Sequence, residues 1–240
     1  MLKLLQVWQY GLPTAAEKTL DDAIATAQEF GPTGLLVKAL DGASWMNEFD
    51  HTPDALGSVD QAQAQHDACT ANKLDYYVWT NPHTDDWQTQ ADVTAQLALV
   101  TDGVFLDVEP FAGFWGPFKP VGLAQQFMER VRSQADGAFI ALQPDPRPQH
   151  LEEIRVNEWM EFCSALAGQH YWSDFQTDPR NELKKANALA AQFGKDVYPT
   201  LPGNAPTASF PLDLLAGFPG FVVFKLGSTP PATLTALGGV

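Results

Sequence analysis

The sequence predicts an α/β fold, a (β/α)8 TIM barrel closed by eight parallel strands. Three observations point there. Short apolar runs alternate with amphipathic stretches eight times along the chain, the rhythm of repeated β/α units. The runs are nearly continuous in apolar residues, as strands covered on both faces must be. The 240 residues are close to the roughly 250 typical of such a barrel. An open doubly wound sheet usually carries a glycine-rich phosphate turn after its first strand. Here that turn is Gln9-Tyr10-Gly11-Leu12-Pro13, which lacks the spacing. No linker or change of composition interrupts the chain, so residues 1–240 read as one domain.

The elements follow in order. Residues 2–8 form the first strand. Thr14-Ala15-Ala16-Glu17 reads as a capping box, in which Thr and Glu satisfy free amides reciprocally, opening a helix that Gly31-Pro32 stops. Residues 34–40 are the second strand, and Ser58-x-x-Gln61 opens a second helix over 58–72. Residues 74–79, 103–108 and 138–142 are strands three to five, separated by helices over 84–100 and 121–134. A helix over 149–161 leads to a less regular sixth strand within 164–172. Asp178-Pro179 is an N-cap followed by proline at the first helical position, and that helix runs to Phe193-Gly194. Residues 197–201 and 221–226 are strands seven and eight, with short helices over 209–216 and 231–237.

Charge narrows the partners. Twenty-nine acidic residues against 14 basic ones leave a net charge of −15. Such a surface repels phosphate backbones and anionic bilayers, so nucleic acid and membrane are not expected partners. The N-terminal run is broken by Gln6, Gln9 and Tyr10 and has no small-residue cleavage site. It reads as a buried strand and not a signal peptide, with synthesis in the cytoplasm and later release or virion association left open. Cys69 and Cys163 form no metal or redox motif and are expected as buried thiols. The five histidines show no His-x-x-x-His spacing, and no Gly-x-Ser-x-Gly elbow occurs. No metal or organic cofactor is called for.

In a barrel the reacting groups sit at the C-terminal ends of the strands. The sharpest signal there is Phe105-Leu106-Asp107-Val108-Glu109, the chain's one Asp-x-Glu. Strand alternation points both carboxylates to one face, about 6.6 Å apart along the chain. Two acids that close resist sharing charge, so one titrates upward and can donate a proton. Lys38 and Lys225 each end an apolar strand and need a partner or an exit to water. Asp107 or Glu109 is the expected partner for Lys38. Trp8, Trp79, Tyr171 and Trp172 near strand ends, with Trp45, Phe114 and Trp115 in loops, offer rings for the apolar face of a sugar. Gln9, Asp41, Asn81, Gln143 and Gln169 offer groups for its hydroxyls. The loop 111–118, rich in aromatic residues, is expected to wall a cleft.

The segment 105–109 resembles the fourth-strand Asp-x-Glu of barrel glycoside hydrolases, namely the family-25 muramidases and the family-18 chitinases. In the chitinase pattern Asp-x-x-Asp-x-Asp-x-Glu, this chain supplies Asp102, Asp107 and Glu109, with Phe105 in the second acidic place. Gln169-His170-Tyr171-Trp172 resembles the sixth-strand segment whose tyrosine faces the scissile bond. The resemblance implies that Glu109 is the acid. It also implies that Asp107 stabilises a substrate N-acetyl group that attacks its own sugar carbon, an exception to the two-carboxylate scheme. The implied substrate is a carbohydrate polymer or oligosaccharide, β-linked and N-acetylated, of peptidoglycan or chitin type. The chain departs from both families. Strand one ends in Val7-Trp8-Gln9-Tyr10 without the muramidase Asp, and strand eight ends in Phe224-Lys225 without the chitinase Trp. A non-catalytic glycan-binding or structural barrel therefore stays open beside the hydrolase. So does an acid–base enzyme that uses Lys38 through a Schiff base.

Overall fold

The computed structural model describes residues 1–15, 17–116 and 121–240. Eight parallel strands form a barrel, and each is followed by one or more helices. In order the strands are Leu2–Val7, Gly34–Asp41, Asp75–Asn81, Val104–Leu106, Ile140–Leu142, Ala165–Leu166, a two-piece seventh strand, and Gly220–Phe224. Each pairs in parallel with its sequence neighbours, and the first pairs with the last. The seventh strand comes as Asp196–Val197 beside the sixth and Thr200–Pro202 beside the eighth. Pro199 in the break has no N–H to donate. Bonds from Tyr198 N to Leu166 O (2.8 Å) and from Val222 N to Pro199 O (3.0 Å) carry the ladder across it. A short antiparallel arm, Ser44–Trp45, folds back on the second strand.

Strand alternation divides the hydrophobic side chains into two clusters. Leu4, Leu36, Trp79, Phe105, Ala141, Ala165, Ala167 and Val222 fill the barrel interior, with Leu2, Tyr77, Phe139 and Tyr198 packed at the edge of that cluster. The opposite faces, such as Leu5, Leu35, Val78, Val104 and Ile140, pack in the larger cluster with helix residues such as Ala27, Ala95, Phe127 and Leu183. The interior is a packed core and leaves no pore through its lower half. Cys69 and Cys163 are buried and free, as expected.

Several boundaries differ from the sequence expectation. The first helix is Leu20–Phe30 and does not start at Thr14. Thr19 caps it in a box with Asp22, and Asp54 accepts from Leu20 N at 2.8 Å. This second Thr-x-x-acid signal has a tertiary partner, and Glu17 of the expected box instead accepts from Thr26 Oγ1. Ala16 of that box lies outside the described residues. Ser58 caps the second helix as expected, although Gln61 reaches back to Gly57 N and not to Ser58 N. The helix over 149–161 is two, Pro148–Glu153 and Val156–Met160, separated at Arg155 with φ 55°. Only Ala165–Leu166 of the sixth segment is strand. Gln169 adds one bridge to Thr200, and Trp172–Phe175 is a short helix. Asp178 and Pro179 open the helix Pro179–Phe193 as predicted. Among the described residues no helix is long and apolar enough to cross a membrane.

Candidate active site

A cavity of about 340 Å3 opens at the C-terminal end of the barrel. That lies at the lower end of the range for small-molecule sites. Its lining includes Trp8, Lys38, Asp41, Trp79, Asn81, Asp107, Glu109, Gln169 and Tyr171, all singled out in the sequence. Strands one to four and the sixth segment therefore converge on one hollow.

Asp107 and Glu109 form its acidic floor. Asp107 continues the fourth-strand ladder, its N–H donating to Thr80 O at 2.9 Å. Asp107 Oδ2 accepts from Asn81 Nδ2 at 2.8 Å. Gln169 Nε2 donates to Asp107 Oδ1 at 2.6 Å and to Glu109 Oε1 at 2.9 Å. Burial, then the neighbouring Glu109 charge, pushes the Asp107 carboxyl well above the ordinary range, against the opposing effects of Asn81 and Lys38. Burial also raises Glu109, opposed by the Gln169 amide and reinforced by the charge of Asp145. Below these raised values the pair holds a proton that isolated carboxylates would lose.

Lys38 lies on the second strand with its ammonium 2.6 Å from Asp41 Oδ2 and 4.8 Å from the centre of the Trp79 ring. Asp41, not the fourth-strand acids, is its partner. Strict alternation would put residues 38 and 41 on opposite faces. A bulge between Lys38 and Leu40 shifts the register and turns Asp41 inward. His83 Nε2 approaches Asp41 Oδ1 at 3.0 Å. Burial would raise the Asp41 carboxyl, but hydrogen bonds from His83 and Lys38 and the Lys38 charge outweigh it and bring it down to about 2.

Aromatic rings wall the hollow. Tyr171 stacks on Phe224 at 5.6 Å with planes 28° apart. Burial, with the Asp107 and Glu109 charges, keeps its phenol pKa well above the usual value, so the hydroxyl remains a proton donor near neutrality. Trp8 is 38% exposed at the mouth. Phe111 and Phe114 of the loop after strand four also line the cavity. Trp115 does not, being buried in the core against Phe127 and Trp159. Pro117 and Phe118 of that loop lie outside the described residues.

Four other expected contacts are placed elsewhere. Gln9 follows inward-facing Trp8 and lines a separate surface groove with Phe49 and Asp50. Gln143 is buried beneath the floor, bonded through Nε2 to Gln6 Oε1 (3.0 Å) and Thr200 Oγ1 (2.9 Å). Trp172 is buried in the core against Phe210, because the sixth segment turns into a helix there. Lys225 sits at the rim, its ammonium 4.6 Å from the centre of the Trp8 ring. Asp102, an acidic member of the chitinase-like pattern, precedes strand four and accepts from Tyr76 N at 2.7 Å. It therefore belongs to the opposite end of the barrel. Sequence reading missed Gln6 as a lining residue. The signal was available, since Leu4, Gln6 and Trp8 share one face of the first strand. Among the described residues, no group of three or more His, Cys, Asp or Glu side chains is arranged to hold a metal ion.

A parallel eight-stranded barrel with an acid pair and aromatic walls at its C-terminal mouth defines the class: a TIM barrel with the site layout common to enzymes of that fold. No protein-family model matches the sequence, and no curated protein does. Solved structures do match. An endo-β-1,4-mannanase double mutant from Cellulomonas fimi superposes with a TM-score of 0.64 at 11% identity, over 98% of this chain and 70% of its own. The C-terminal domain of a putative chitinase from Desulfitobacterium hafniense gives 0.63 at 11% identity, over 99% and 97%. A mandelate racemase/muconate lactonizing enzyme from a marine actinobacterium also matches, at 0.53 and 11% identity, over 95% of this chain and 56% of that one. These likenesses establish the fold. Their differing chemistries leave activity to be argued from the site.

Proposed function

We propose that the chain is a glycoside hydrolase acting on β-linked, N-acetylated glycans of peptidoglycan or chitin type. The observation that carries this reading is the acid pair Asp107 and Glu109, bridged by the Gln169 amide beneath aromatic walls at the barrel mouth. A mannanase and a putative chitinase domain among the structural neighbours support a glycan substrate by analogy. In this reading the acetamido N–H, by donating to Asp107, favours its ionised form and leaves the proton of the pair on Glu109, which donates it to the glycosidic oxygen as the C1–O bond breaks. The substrate's own acetamido oxygen attacks C1. Asp107, held by Asn81 and Gln169, accepts from the acetamido N–H and stabilises the cyclic cation. Water then opens that intermediate and returns a proton to Glu109. Tyr171 donates a hydrogen bond from its hydroxyl to the reacting sugar, and Trp8 and Trp79 pack against the sugar's C–H face.

The test compares wild type with Glu109→Gln on peptidoglycan and chitin-type substrates, reading reducing ends released. Equal turnover by the two proteins removes Glu109 from the mechanism. A second reading, a glycan-binding barrel without turnover, is favoured by one observation: the Gln169 amide already occupies an oxygen of each carboxylate. Calorimetric binding of an oligosaccharide without product would select it.

A further inference from the structure

The two glycan types differ in charge, since chitin-type chains are neutral, whereas in peptidoglycan-type chains alternate sugars bear a lactyl carboxyl that is ionised wherever no peptide is attached to it. Lys38 lines the cavity, while Lys225 stands outside the lining beside Trp8, which is part of it. Lys38 is neutralised by Asp41 at 2.6 Å. Lys225 forms no ion pair among the described residues, and its ammonium rests on the Trp8 ring at 4.6 Å. A ring attracts a cation without supplying a counter-charge, and Lys225 is half-buried beside Trp8. This charge also has a defined position. Lys225 follows strand eight, and strand eight pairs with strand one, which Trp8 follows directly. The acid pair follows strand four. In a ring of eight, strands four and eight stand across the mouth from each other. A sugar lying over Asp107 and Glu109 therefore directs its far substituents toward Lys225 and the exposed edge of Trp8.

In a chain of net charge −15, with two acids on the cavity floor, an anionic ligand is repelled unless a cation is placed to receive it. We infer that Lys225, held on Trp8, is an anion-recognition point, and that the substrate is an acidic glycan whose sugar carboxylate pairs with the Lys225 ammonium. The inference rests on the glycan reading of the site and separates the two substrate types that the reading leaves together.

The experiment uses the full chain carrying Glu109→Gln, so that ligands bind without being consumed. Two probes are titrated by calorimetry: a β-linked, N-acetylated tetrasaccharide bearing a carboxylate on alternate sugars, and the same tetrasaccharide with those carboxyls reduced to alcohols. The acidic probe is expected to bind about 10-fold more tightly, the scale of one charge-assisted hydrogen bond. The preference should shrink as salt screens the pair. Lys225→Gln should abolish the preference and Lys225→Arg should keep it. Equal affinity for the two probes, or a preference that survives Lys225→Gln, overturns the inference while leaving the glycan reading intact. Binding of neither probe overturns both. The comparison with Lys225 intact needs no Lys225 variant to fold, so equal affinity there overturns the inference on its own.

Discussion

The lower and upper halves of the barrel interior are built on the same inward-facing positions, yet their chemistry is opposite. Strand one goes from Leu4 to Gln6 to Trp8, strand two from Leu36 to Lys38, strand four from Phe105 to Asp107, and strand five from Ala141 to Gln143. The lower members belong to one apolar cluster. The upper members form a polar layer in which Gln143 bonds Gln6 and Thr200, and Gln169 bonds both acids. One step of the two-residue period separates packing from chemistry. The lower layer gives the upper layer an apolar, low-dielectric base, and burial against it raises the carboxyls of the acids above.

The comparison can be broken at either half. The largest effect is expected on activity. For the proposed glycan cleavage, Glu109→Gln should lower turnover by about 10²–10⁴-fold, the usual contribution of a positioned proton donor, while circular dichroism stays native. In the lower half, Phe105→Ala opens a cavity under the acids and should cost about 3–5 kcal/mol in denaturant unfolding. A cost near zero would mean that the interior is not packed as described. Between the halves, Gln143→Ala strands the Gln6 and Thr200 groups and should cost about 1–3 kcal/mol.

Acid titration separates two kinds of carboxylate. Asp41 is held at about 2, below its unfolded value of 3.8. Its contribution, about 2 kcal/mol by linkage, is present above pH 4 and lost as pH falls toward 2. Lys38→Met should therefore flatten that part of the stability curve. Asp107 has the opposite sign. Its folded value is raised, so the folded state is favoured below the unfolded value and loses that advantage as pH rises through the folded one. Asp107→Asn removes the charge and should raise the melting temperature at neutral pH by a few degrees, the smallest of these effects. A lower melting temperature would contradict the raised titration.

Much of this was legible beforehand. Eight apolar runs announced eight strands because a strand covered on both faces tolerates few polar residues. Asp107 and Glu109 stood out as charges at the end of such a run. What escaped shows the limits of local patterns. The box at Thr14 and the one used at Thr19 have similar local chemistry, and Asp54, distant in sequence, favours the second. Lys38 and Asp41 have the wrong spacing for a strand pair until a bulge is known. Trp172 and Gln9 are adjacent to site residues, but a turn into helix and a change of face carry them elsewhere.

The sequence by itself determined the class of fold and the acid pair, because hydrophobic period and the burial cost of charge are written in neighbouring residues. Tertiary structure alone decided which cation meets which anion and which rings face the hollow. Closing the barrel brings strands one, four and eight around one mouth, and the separations across that mouth have no counterpart along the chain.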